Sequence, residues 1–184
     1  CSFEDASFED VKFKDCSFKS GVVVSGSDYS TVEFEKVNFD GPIRGGEFQR
    51  GTFVKVDFED ATFEGQAYFD QATIRGSNFQ GATFEESATF RETVFTGEIC
   101  FRDAGFQHDA LFQDSFEPAE DGRLEKVDFG NCYFQGKASF SGSSNESRAF
   151  ADSEVNFTGV RLSPRAELQF RYADLSQCRF LRTN

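Results

Sequence analysis

The chain opens CSFEDASFEDVKFKDCSFKS, with phenylalanine at Phe3, Phe8, Phe13 and Phe18 and charge packed between. A five-residue spacing excludes the usual elements. A helix advances about 100° per residue, so successive rings would wind about 140° around it and form no stripe. A flat strand alternates faces, so neighbouring rings would point to opposite sides. All four rings reach one interior only if the chain turns a corner in every unit. The predicted object is a solenoid with short flat sides, and such a repeat constrains the fold before any other feature does.

The series continues through Phe34, Phe39, Phe48, Phe53, Phe58 and Phe63, with Val24, Tyr29 and Ile43 filling slots. From Phe63 onward fives and sixes mix: Phe69, Ile74, Phe79, Phe84, Phe90, Phe95, Phe101, Phe106 and Phe112. The extra residues are Gln66, Ser87, Glu98 and Asp109. Bulges are expected between Phe63 and Phe112. The rhythm resumes at Phe129, Phe134, Phe140, Phe157 and Leu162, and finishes at Phe170, Leu175 and Phe180. These large residues are the expected structural core.

A second column lies two positions before each large residue. It is small or aliphatic: Cys1, Ala6, Val11, Cys16, Val56, Ala61, Ala67, Ala72, Ala82, Ala88, Ala104, Ala110, Val127, Cys132, Ala138, Ala173 and Cys178. Charge crowds the positions just after the large residue. Two inward positions per unit, with the rest outward, is the pattern of a narrow tube with a solvated wall.

The segments ASFED, ATFEG, GATFE, ADLSQ and CRFLR resemble units of the pentapeptide repeat proteins, whose consensus is A-(D/N)-(L/F)-x-x. The resemblance covers most of the chain apart from two insertions. It implies an all-β fold, a right-handed quadrilateral parallel β-helix with four units per coil. The chain departs from the common type in preferring Phe to Leu and in its sixes. At four units per coil it should hold roughly eight coils, a rod of about 40 Å at the usual strand spacing.

The 184 residues suit one domain, residues 1–184. A net charge of −13 argues against direct nucleic-acid binding, which needs cations to neutralise phosphates, and against anionic membrane surfaces. No apolar stretch approaches a membrane span, and no signal-peptide pattern is present. The chain has no Met and opens mid-repeat, which reads as a fragment of a longer chain or a processed one. A lipidated Cys1 is a minor alternative to that reading. The five cysteines match no zinc spacing and read as reduced packing residues of a cytoplasmic, bacterial or archaeal protein. The sequons at Asn145 and Asn156 read as chance.

Catalysis needs a positioned acid, base, nucleophile or metal. His108 is the only histidine and falls on the predicted outer wall. The acidic pairs Glu4/Asp5, Glu9/Asp10, Glu59/Asp60 and Glu85/Glu86 also fall outward, where no cleft shifts their pKa. GSNFQGAT has the spacing of a phosphate loop but lacks its Lys, and is two repeat units. No catalytic residue, cofactor or metal site is assigned, and the expected protein is not an enzyme.

The rule breaks at Glu117 to Lys126 and at Ser141 to Glu154, and more weakly at Gly21 to Ser30. Loops leaving a rigid scaffold often carry function. Glu117, Asp121, Arg123, Asn145, Arg148 and Phe150 are therefore the candidate interaction residues. The primary functional expectation is a non-enzymatic scaffold for an unidentified protein partner, with end-to-end or dimeric association an option. The alternative comes from the resemblance. Some pentapeptide repeat proteins mimic duplex DNA and bind DNA gyrase, inhibiting it or protecting it from quinolones. Lys12, Lys14, Lys19, Lys36, Arg44 and Arg50 interrupt the early acidic wall and weigh against that alternative.

Overall fold

The computed structural model describes residues 11–18, 22–23, 33–35, 38–39, 43–44, 46, 48–116, 123–144 and 148–182. Phe3, Phe8, Val24 and Tyr29 lie outside them, as do the side chains of Phe34 and Phe39. Every strand pairing among the described residues is parallel, and the elements are strands only. The fold is an all-β solenoid with four sides.

The first side stacks Lys12–Lys14, Glu33–Glu35, Thr52–Val54, Thr73–Arg75 and the start of Val94–Cys100. The second stacks Ser17–Phe18 on Asn38–Phe39. It continues through the bridges Asp57 to Asn78 to Cys100, then Leu124–Asp128, Glu154–Asn156 and Cys178–Arg179. The third side runs Val22–Val23, Ile43–Arg44, Thr62–Phe63, Thr83–Phe84, Gly105–Phe106, Tyr133–Phe134 and Arg161–Leu162. The fourth runs Ala67–Tyr68, Ala88–Thr89, Ala110–Leu111, Lys137–Ser139 and Glu167–Gln169. Five successive turns, from Phe53 to Phe170, are described on all four sides, fewer than the roughly eight coils expected.

The core is four columns of rings, each turn placing its ring on the one before. On the second side Phe58, Phe79, Phe101, Phe129, Phe157 and Phe180 stack with centroids 4.7–5.2 Å apart. On the fourth, Phe48, Phe69, Phe90, Phe112, Phe140 and Phe170 do so at 4.8–5.4 Å. Phe63, Phe84, Phe106 and Phe134 fill the third, between Ile43 and Leu162. The first side holds Phe53, Ile74, Phe95, Phe116 and Phe150. Rings on opposite sides meet edge to face across the core, as Phe69 and Phe79 do at 90°. Both arrangements suit the ring quadrupole.

The small column sits beside the rings and sets how closely the turns approach. Ala67, Ala88, Ala110 and Ala138 follow one another directly in register and are fully buried. A larger side chain there would push two turns apart.

Corners explain much of the acidity. The residue two after each ring takes a positive φ at Asp60, Gly81, Asp103, Asn131 and Gly159, one corner traced through successive turns. Asp and Asn tolerate this conformation better than other non-glycine residues. In the pair Glu59/Asp60, Asp60 is therefore corner chemistry.

Of the four extra residues, Gln66, Ser87 and Asp109 all fall between the third and fourth sides, and the ladders beside them stay in register. A repeated six at one corner leaves every turn equally long. Only Glu98 falls elsewhere, and there the register shifts between Gly97 and Glu98. That is the one bulge in the stretch where bulges were expected.

Candidate interaction surface

With the rings inside, chemistry is left to the wall. In the turns of Phe53, Ile74 and Phe95 the first side is free of acid: its outward residues are Thr52, Val54, Lys55, Thr73, Arg75 and Val94. The other three sides hold all the acid. Residues 48–116 contain 12 acidic and 5 basic residues, and residues 123–184 contain 7 acidic and 9 basic ones. The rod therefore changes sign along its axis.

The second side carries a polar ladder at the position just before each ring. Asp57 Oδ1 accepts from Glu59 N at 3.0 Å and from Asn78 Nδ2 at 3.1 Å, and Asn78 Oδ1 accepts from Gln80 N at 3.0 Å. Three turns on the motif repeats. Asp128 Oδ1 accepts from Gly130 N and Asn156 Nδ2, both at 2.8 Å, and Asn156 Oδ1 accepts from Thr158 N at 3.0 Å. Arg102 Nη2 meets the other Asp128 oxygen at 2.5 Å. Burial of Asp128 acts to raise its carboxyl pKa, but bonds from Arg102, Gly130 and Asn156 outweigh burial and hold it below the usual carboxylate range. Asn156 is committed to this ladder.

Two shallow grooves lie on the late second side. One of about 300 Å³ is lined by Arg102, Lys126, Asp128, Glu154, Asn156 and Arg179. The other, about 490 Å³, is lined by Glu98, Arg123, Glu125, Asp152, Glu154 and Gln177. Cross-strand neighbours here alternate in sign, Glu98 beside Lys126 beside Glu154. His108 stands exposed on the third-to-fourth corner with Nε2 3.9 Å from a Glu86 oxygen. Among the described residues no group of three or more His, Cys, Asp or Glu is placed to hold a metal ion.

A family model described as "Pentapeptide repeats (9 copies)" matches residues 69–115, the stretch where the ring columns are most regular. The matched stretch is built of pentapeptide repeats. No curated protein sequence matches the chain. Two similar solved structures are trypsin-treated variants of QnrB1, a plasmid-mediated fluoroquinolone resistance protein. They are 15% and 14% identical, with TM-scores of 0.38 and 0.27. The alignments cover 100% of this chain and 88% and 90% of those chains.

Within the solenoid the candidate residues separate. Glu117, Asp121 and Asn145 lie outside the described residues. Arg123 and Arg148 are exposed, and Arg123 Nη2 donates to the Asp152 carbonyl at 2.5 Å. Phe150 does not belong with them. It is 1% exposed and stacks on Phe116 at 4.8 Å, so it is a core ring of the first side. The insertions are correspondingly shorter than expected: Leu124–Asp128 and Glu154–Asn156 are wall strands, and Ala149 and Ser153 are buried. Two assigned core residues move the other way. Leu175 is 41% and Phe180 40% exposed, and Phe180 is covered by Phe157 in its column and edged by Phe170. Phe13 and Phe18 are half-buried, with centroids 5.8 Å apart. The polar ladder was missed, although Asp57, Asn78, Asp128 and Asn156 each stand one residue before a Phe.

Proposed function

We propose that this chain is a non-enzymatic scaffold that binds a protein partner through its outer wall. The observation that carries this reading is the division of the residue types. Every phenylalanine ring in the regular turns is consumed by the core, and the charged groups stand on the walls. Such a wall offers a preorganised surface and little to enclose a small substrate. The test is an affinity comparison with extracts of the source organism. Wild type should retain a partner that a variant with Glu59, Glu85 and Glu86 changed to Gln and Asp60 changed to Asn loses, at unchanged circular dichroism. Equal retention by both would remove the acidic wall from the binding surface.

A second reading, mimicry of duplex DNA toward DNA gyrase, is favoured by the charge density. Residues 48–116 span a little over three turns, about 16 Å at the usual strand spacing. Duplex DNA of that length carries about nine negative charges. The chain carries 12 acidic and 5 basic residues over that stretch, a comparable density. The acid-free first side and the basic late turns confine any mimicry to three sides of residues 48–116. A supercoiling assay decides it. Inhibition, or protection from a quinolone, at micromolar protein supports the reading, and no effect removes it.

A further inference from the structure

We propose that two copies of this chain pair side by side and antiparallel along the edge between the third and fourth sides. The edge is built in register. Backbone bonds from Glu85 N to Phe63 O, Gln107 N to Phe84 O, Gln135 N to Phe106 O and Ser163 N to Phe134 O align one residue per turn along it. Beside that column Glu86 lies over His108. A Cβ on Gly136 would stand 2.7 Å from the His108 carbonyl carbon, so the next turn seats directly on the histidine backbone.

The charge on this edge reverses along its length. Glu64, Glu85 and Glu86 are exposed at its early end, and Arg161 and Arg165 at its late end. Between them Asp109 precedes Lys137, whose backbone N donates to Asp109 Oδ1 at 2.9 Å. From Glu85 to Arg161 is three rungs, read through Thr83, Gly105, Tyr133 and Arg161, or about 14 Å.

A two-fold axis placed between the His108 and Gly136 turns makes the edge self-complementary. Arg161 and Arg165 of one copy then face Glu85 and Glu86 of the second, and Asp109 faces Lys137. Each contact occurs twice, as an isologous interface requires. A parallel arrangement would instead set acid on acid, which the net charge of −13 already penalises. The occupant of the edge is therefore a second copy, and the order of charge selects its direction.

The experiment is a charge-swap series read by sedimentation and small-angle scattering on the full chain. Wild type should form a dimer of unchanged length and doubled cross-section. Its dimer fraction should fall as salt rises from roughly 0.05 to 0.5 M, as the screening length shortens. Arg161→Glu/Arg165→Glu and Glu85→Arg/Glu86→Arg should each weaken self-association by about tenfold or more, because both Arg–Glu contacts become repulsive while only the Asp109–Lys137 contacts stay attractive. Mixing the two variants restores opposite charge at both contacts and should restore the dimer. All four positions are exposed, so circular dichroism should be unchanged. A monomer under all conditions, a dimer indifferent to either variant, failure of the mixture to recover, or a particle of doubled length would overturn the proposal.

Discussion

Phe101 stacks on Phe129 with ring centroids 5.1 Å apart and planes 4° apart, although an insertion separates them in the chain. The column absorbs the insertion without a break, because the ring beneath fixes where the next must sit. Each column then behaves as a one-dimensional stack in which an interior ring has a neighbour on both faces. Phe101→Ala should cost about 3–5 kcal/mol in denaturant unfolding. Phe180→Ala, at a ring 40% exposed, should cost less than half as much. Equal losses at the two positions would contradict the stack.

The small column should be less forgiving of charge than the wall is. Ala110 sits fully buried between Ala88 and Ala138, where a carboxylate finds no partner. Ala110→Asp should cost more than about 3 kcal/mol or abolish soluble expression. Gln107→Glu, three residues away on the exposed wall, should change stability by less than about 0.5 kcal/mol. Thermal melts of the two variants compare them directly.

Asp128 should dominate the acid response of the late turns. Its native carboxyl is held below the unfolded value, so the stabilisation it gives is full above about pH 4. That stabilisation is lost as pH falls through the lower native value. Asp128→Asn leaves Arg102 without its charge partner and should cost roughly 1–3 kcal/mol at neutral pH. Because the variant has nothing to titrate there, its deficit should shrink as pH falls below 4. Unfolding curves of both proteins from pH 6 to pH 2 should converge, and parallel curves would contradict this role.

The thiols should be slow. Burial raises Cys132 well above the ordinary thiol range, and its Sγ lies 2.8 Å from the Phe101 carbonyl oxygen. Burial also pushes Cys178 up to about 11. Little thiolate is present at pH 8 in either case. Cys132 should react with a thiol reagent only at the rate of global unfolding, and Cys178 at the faster rate at which its outer turn opens. Mass spectrometry of timed samples resolves the two.

The repeat was legible because its signal is covalent: Phe spacing and the small column are readable one residue at a time. What failed to show required knowledge of which turn follows which. Phe150 looked like a lone apolar residue in a Ser-rich insertion because it follows Phe140 by ten residues, twice the usual step. Only the stack on Phe116 reveals that it completes the first side. The Arg102–Asp128 pair spans an insertion whose length hides the register, so neither residue stood out. Leu175 and Phe180 fit the pattern as well as any buried ring. Their exposure depends on what lies over them, which spacing cannot report. The sixes were visible but not their meaning, since a repeated extra residue at one corner preserves registry whereas a scattered one would not.

The columns themselves admit the most direct test. A double-mutant cycle on Phe101 and Phe129, each changed to Ala, measures their mutual interaction apart from the burial each loses. A parallel cycle on Phe101 and Phe48, buried rings of different columns, is the reference. The stacked pair should show a coupling of about 0.5–1.5 kcal/mol, and the distant pair should be additive within about 0.5 kcal/mol. Additivity at Phe101 and Phe129, or equal coupling in both cycles, would contradict a core built of ring columns one turn apart.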